Sequence, residues 1–542
     1  MIRNLLLAAA FAAPLVAAEE PKAYREDDDA IELMKSLGIV AVRGTPTVAP
    51  PGQVIDGKRP DRVDIVRGAV ANDPVIAIEF AGPATTDKVL ASAATAIAGF
   101  KFLGRVSITN TGLTDAGLKH FAGCEMLSDL SIGSPRIGGT GLKELVGLKH
   151  LAALTFTGNV GKDGFKAIGQ LKSLKRLALS GSRVGDEEAK SIGELVQLTH
   201  LDLANTTAND AALAHLNGLA ELTTLELTHT RINGSGLKSL AGLKKLSTLT
   251  MRQCPLTESG LAALGSLPAL SILDLSLNVQ FSSNGLKSLA GSKTLTSLNL
   301  DRCPIVDESL AHLSKCTALN TLILSKSRVT GGGLRHLATI ATLTALDLTG
   351  TAVDSAGLKD LSELVELTIL RLGETRVGDA GIAHLAKMAK LQSLDLSGTG
   401  LTAACAKHFA PLVALDSLDL SGTRCGDATI DILVENCKNI NRLDLSGTAS
   451  AESIAKLAEL KNLADLNLSA TKTTDKAIES LMKLEKLTHL NVGRTPITNK
   501  CYQALFDKSA QLVALNIAGT RMLPLRQHAL KKDMPYTQVT TD

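Results

Sequence analysis

One stretch restarts itself and constrains everything else. From Leu391 the chain reads L-Q-S-L-D-L-S-G-T, and from Leu415 it reads L-D-S-L-D-L-S-G-T. The L-x-x-L-x-L frame opens eighteen times between Leu103 and Leu512, at intervals of 23 to 25 residues. A weaker copy, Val75-Ile76-Ala77-Ile78-Glu79-Phe80, precedes them. A short fixed period of this kind overrides any local propensity, because each repeat is one supersecondary unit stacked on the next. The first Leu of each repeat is taken as position 1.

Each repeat has two halves. Positions 4 to 6 alternate apolar and polar residues, the pattern of a short strand with one buried face. The second half spaces apolar residues three apart, as in Leu358, Leu361 and Leu364, which is one face of a short helix. Asp115, Asp307 and Asp379 stand where such helices begin, so their carboxylates are expected to cap free backbone N–H groups. Neither apolar face can be buried by one repeat alone, and stacking buries both as a continuous core. Position 9 is Thr in eleven repeats, and in the others Ser, Asn, Cys or Pro. Its small polar side chains suit a hydrogen bond to the backbone where the strand turns away.

The segment T-R-V-G-D-A-G-I at Thr375–Ile382 resembles the repeats of exported bacterial leucine-rich-repeat proteins. It is also similar to the cysteine-containing repeats of F-box-type substrate receptors. The resemblance runs from about residue 75 to residue 522. It implies an α/β leucine-rich-repeat solenoid, or horseshoe, with a parallel sheet on the concave face and short helices on the convex face. It also implies a non-catalytic protein-binding scaffold. A cell-envelope structural, adhesive or glycan-binding element is one alternative, and a substrate receptor of the F-box kind is another.

The ends differ from the repeats. Arg3, the apolar run Leu5–Ala13 and Val16-Ala17-Ala18 read as a signal peptide over 1–18, so the protein is expected to be secreted, periplasmic or held in the cell envelope. No later stretch is apolar and long enough to insert in a membrane once that segment is removed. Residues 19–74 read as an N-terminal cap: a helix over Asp29–Gly38, a Pro/Gly-rich loop over Thr45–Pro60 and a strand over Arg62–Val66. Residues 75–522 carry the repeats, and 523–542 a C-terminal cap with a frayed tail over Tyr536–Asp542. The 57 Lys and Arg are interspersed with 54 Asp and Glu, so no basic block marks a nucleic-acid footprint.

Chemistry is sparse. There is no G-x-S-x-G, H-E-x-x-H or phosphate-binding loop, so neither an enzyme nor a cofactor is expected. Six histidines (His120, His215, His312, His336, His384, His408) share one outward helix position without a fixed third ligand, and no metal site is expected there. Cys254 and Cys303 share a column two repeats apart, about 10 Å at the usual strand spacing and too far for a disulfide. Of the eight cysteines only Cys405 and Cys425 come from adjacent repeats in a way worth testing as a pair.

The remaining candidate is position 5, whose side chain points away from the core. It reads Asp347, Arg371, Asp395, Asp419, Asp444, Asn467, Asn491 and Asn516 in the later repeats, and Asp202, Glu226, Asp274 and Asn299 in earlier ones. Position 7 beside it is small: Thr349, Gly373, Ser397, Ser421, Ser446 and Ser469. The expected result is a smooth inner surface with an Asp/Asn stripe that attracts a basic partner or cations. The expected partner-binding residues are Asp347, Arg371, Asp395, Asp419, Asp444, Asn467 and Asn491.

Overall fold

The computed structural model describes residues 25–43, 75–280 and 283–541. The signal peptide, the Thr45–Pro60 loop and the Arg62–Val66 strand expected from the sequence lie outside the described residues. The chain divides into two compact units, Met1–Leu154 and Thr155–Asp542.

In the first unit, helix α1 (Arg25–Ser36) ends before Gly38, whose φ of +72° suits a residue without Cβ. The chain returns as strand β1 (Val40–Arg43), which pairs antiparallel with β2 (Val75–Ala81). That strand is not expected from the residue pattern. It covers what would otherwise be an open sheet edge at the start of the repeats. Strand β2 then pairs in parallel with β3 (Arg105–Thr109), and β3 with β4 (Asp129–Gly133). Helix α2 (Asp87–Gly99) buries Leu90, Ala93 and Ile97. Phe80 and Phe121 meet edge-on beneath the sheet with centroids 5.6 Å apart.

In the second unit the strands shorten to three residues and pair in parallel without a register shift, from Arg176–Ala178 to Gln538–Thr540. The position-4 leucines stand opposite one another, as in Leu346↔Leu370↔Leu394↔Leu418. Positions 1, 4 and 6 are buried throughout; Leu391, Leu394 and Leu396 are 0–1% exposed. Full burial of one such leucine contributes roughly 1.5–3 kcal/mol, so the core grows by addition with each repeat. The helical halves vary between short 3-10 segments, such as Ala403–Phe409, and full α-helices, such as Asp427–Asn436.

Three columns recur along the stack, the first within each repeat and the other two between repeats. The first is position 9: Thr351, Thr375, Thr399, Thr423 and Thr471 each donate Oγ to the position-6 carbonyl at 2.6 Å. Cys303 at the same position instead reaches the preceding repeat, its thiol donating to the Leu275 carbonyl at 3.0 Å. The second is position 8, where the backbone turns left-handed. Glycine occupies it at Gly398, Gly422 and Gly447, but Glu374, Lys326, Arg494 and Leu277 also sit there with φ between +54° and +66°. The third is the helix-start Asp, which does not cap its own helix as expected. Asp115 accepts from Gly138 N and Gly141 N, and Asp427 from Ala451 N and Ser453 N, so each caps the following repeat. Stacking brings the next repeat's free N–H groups nearer than the helix's own.

The C-terminal tail is also corrected. Gln538–Thr540 is a strand in register with Ala514–Asn516, and Val539 is buried opposite Leu515. It is the opening of one more repeat, not a frayed end.

Candidate functional site

Position 5 faces away from the core because the leucines at positions 4 and 6 are both buried, and a strand sends alternate side chains to opposite faces. The pairing sets Asp347, Arg371, Asp395, Asp419, Asp444, Asn467, Asn491 and Asn516 in one unbroken row across consecutive strands. The sheet face is hollowed here into an open depression of about 560 Å³. Arg371, Asp395, Asp419, Asp444, Asn467 and Asn491 line it, so six of the seven residues expected from the sequence come together. Asp347 stands just outside it and meets Arg371, Oδ2 to Nη1, at 3.5 Å.

Position 3 points the same way and also lines the depression. Ser393, Ser417, Arg442 and Asp465 belong to the site and were missed, although the alternation that exposed position 5 applies equally to them. Arg442 and Asp465 pair across adjacent strands at 3.0 Å.

The carboxylates have a structural duty first. Asp395, Asp419 and Asp444 each turn one oxygen inward to accept from the backbone N–H two residues on, at Ser397, Ser421 and Ser446, at 2.8–2.9 Å. Asn467 and Asn491 do the same with their amide oxygens. This bond satisfies an amide at the point where the strand leaves the ladder. The second oxygen of Asp444 accepts from Asn467 Nδ2 at 2.7 Å. The carboxylates of Asp395 and Asp419 line the depression beside it.

The electrostatics follow from the register. Burial pushes the Asp419 carboxyl above its ordinary pKa, and the flanking Asp444 and Asp395 charges push it further, against the Ser421 hydrogen bonds. The floor of the depression is therefore a row of crowded acceptors, with Arg371 and Arg442 at its rim. Such a surface can receive ammonium or guanidinium groups.

The other sequence candidates stay apart. The six shared-column histidines are half-buried, and His215 pairs with Asp186 at 2.8 Å. Among the described residues no group of three His, Cys, Asp or Glu side chains is placed to hold a metal ion. All eight cysteines are buried. Cys405 and Cys425 do meet, with Sγ atoms 3.6 Å apart. That thiol–thiol hydrogen bond raises the Cys405 pKa, and burial raises it further.

Residues 117–355 match the family described as a leucine-rich repeat region, and residues 431–541 match the Zer-1-like leucine-rich repeats. The chain is a leucine-rich-repeat protein. Solved structures share the fold of this leucine-rich-repeat chain. The TLR13–ssRNA13 complex is 16% identical, with 86% of this chain and 73% of that one covered at a TM-score of 0.53. The mouse RP105/MD-1 complex is 16% identical, with 86% and 89% covered at 0.51. A leucine-rich-repeat protein of Leptospira interrogans is 20% identical, with 84% and 99% covered at 0.45. No curated protein sequence matches the chain. At these identities the likeness is one of fold: α/β, with a parallel sheet and short helices.

Proposed function

We propose that this leucine-rich-repeat protein is an exported, non-catalytic scaffold that binds a protein partner on the sheet face between Asp347 and Asn491. The observation that carries this reading is the in-register row Asp395–Asp419–Asp444 on the floor of the depression. Its adjacent carboxylates favour a partner that presents Lys or Arg, and its small neighbours at position 7 leave a flat approach. Interspersed charges elsewhere give that stripe contrast, which serves specificity and association rate more than raw affinity. The mouse RP105 neighbour is likewise seen in complex with a protein, MD-1. Export rests on the signal-peptide reading of residues 1–18; among the described residues no helix is long and apolar enough to cross a membrane.

The test is affinity capture from the envelope and medium of the source cell, with wild type beside D395N/D419N/D444N. Asn keeps the acceptor for the backbone N–H, as Asn467 and Asn491 show, and removes only the charge. A partner with a basic surface should be captured by wild type and lost by the variant, with circular dichroism confirming that both fold. A partner retained equally by both would overturn the reading.

A further inference from the structure

Position 10 of the repeats forms a second row, on the edge where each strand has turned away from the sheet. Its backbone N–H donates to the position-11 carbonyl of the preceding repeat: Arg328 to Ile305, Arg376 to Val353, Arg424 to Leu401, Lys472 to Ser450 and Arg521 to Ile497, at 2.9–3.3 Å. These bonds fix the row in register, one repeat per step. The residues are Arg328, Ala352, Arg376, Gly400, Arg424, Ala449, Lys472, Pro496 and Arg521. A cation falls in every second repeat, 48 or 49 residues from the last, with a small residue between. The array thus has a doubled period that the leucine frame hides. At the usual strand spacing the cations stand about 10 Å apart, and five of them span about 40 Å.

The five side chains are exposed. The ion pairs of this part of the chain use other cations, and among the described residues none of the five is in one. Position 8 beside the row is bare backbone at Gly398, Gly422, Gly447 and Gly519, and it adds Lys326 and Arg494. The carboxylates nearest the row are Glu374 at position 8, Asp354, which accepts from Gly357 N at 3.0 Å, and the helix-start Asp379, Asp427 and Asp475, each already accepting from a backbone N–H of the following repeat. At positions 8 to 11 from Lys326 to Arg521 cations outnumber the one carboxylate, Glu374, and no residue is aromatic.

We propose that this edge binds an extended acidic polysaccharide, whose widely spaced carboxylates pair with the cations of alternate repeats. Charge density decides the class of polymer. Duplex DNA carries a charge about every 1.7 Å, far denser than a row with one cation per ~10 Å. Single-stranded nucleic acid is gripped by stacking on aromatic side chains, which this edge lacks. A glycan with one carboxylate per sugar or disaccharide matches the sparse row, and its rings lie along the bare glycine backbone. Each exposed ion pair is weak alone, so binding should build with the number of pairs made along one chain and weaken with salt.

The experiment measures binding of the purified protein to immobilised hyaluronan, with neutral dextran and oligothymidylate as competitors, at low and high salt. Wild type should bind hyaluronan at low salt, release it at high salt and ignore both competitors. R376A/R424A should lose about tenfold in affinity, through loss of two of the five contacts. R376K/R424K should keep most of the affinity, and D395N/D419N/D444N should leave it unchanged, which separates this edge from the sheet face. Equal competition by dextran, tighter competition by oligothymidylate, or full affinity in R376A/R424A would each overturn the proposal.

Discussion

Replacing Asp419 in two ways separates its two duties. Asp419 lies one strand from Asp395 and one from Asp444, and its inward oxygen accepts from Ser421 N at 2.8 Å. Two unit charges about 5 Å apart in water repel by about 0.8 kcal/mol, so neutralising the middle carboxylate relieves about 1.5 kcal/mol. D419N keeps an acceptor for Ser421 but gives up charge assistance, which costs about 1 kcal/mol. The net expectation at neutral pH is a stabilisation of about 0.5 kcal/mol. D419A gains the same relief but leaves the Ser421 N–H unpaired, and should be about 1–1.5 kcal/mol less stable than D419N.

The pH dependence follows from the sign of the shift. Burial and the two neighbours raise the folded-state pKa of Asp419 above its unfolded value. The folded state therefore binds that proton more readily, and the destabilisation of wild type is present above the folded pKa and disappears as pH falls through it. The advantage of D419N at neutral pH should shrink to nothing in acid, below the ordinary Asp value of about 3.9. A long repeat array need not unfold in two states, so the readout is local: hydrogen exchange of a peptide covering residues 417–425, beside urea midpoints at neutral and acid pH. Equal exchange in D419A and D419N would refute the capping role. A D419N effect that does not change with pH would refute the repulsion.

Two further outcomes follow from the hydrogen-bond columns, one within a repeat and one between repeats. T399V removes the 2.6 Å bond from Thr399 Oγ to the Leu396 carbonyl in a buried setting and should cost about 1 kcal/mol, with T399S recovering most of it, read from unfolding midpoints. Burial alone would raise the Asp427 pKa, but backbone donors at Ala451, Ser453 and Glu452 outweigh it and hold the carboxyl below its ordinary value. Its stabilisation is thus full above the unfolded pKa of about 3.9 and lost as pH falls through the folded one; D427N should cost about 1 kcal/mol at neutral pH and almost nothing near pH 2, measured by thermal melts across that range.

The leucine frame was readable because it is enforced by burial in every repeat, and position 5 because alternation within a strand admits two faces. What the chain does with those side chains was not readable. Alternation places Asp419 on the sheet face, but the rotamer that turns one oxygen back to Ser421 depends on where the next backbone amide lies. Asp115 and Asp427 look like caps of their own helices, and only stacking shows that the free N–H groups of the following repeat are closer. Glu374, Arg494 and Leu277 carry no mark of a left-handed backbone; their neighbours in the ladder impose it. Arg442 and Asp465 were overlooked at position 3 because that column is irregular in type. The last strand was hidden because Tyr536 and Thr541 occupy positions 1 and 6, leaving Val539 as its one buried frame residue among them.

The most direct test of partner binding on the sheet face is carboxylate footprinting of the captured complex. Glycine ethyl ester coupling would be mapped by mass spectrometry on the free protein and on the protein with its partner bound. Asp395, Asp419 and Asp444 should be labelled in the free protein and protected in the complex, while Glu363 and Glu366, exposed on the helical side, stay labelled in both. Protection of Glu363 and Glu366 with the three aspartates still labelled would place the partner on the helical side and contradict the account.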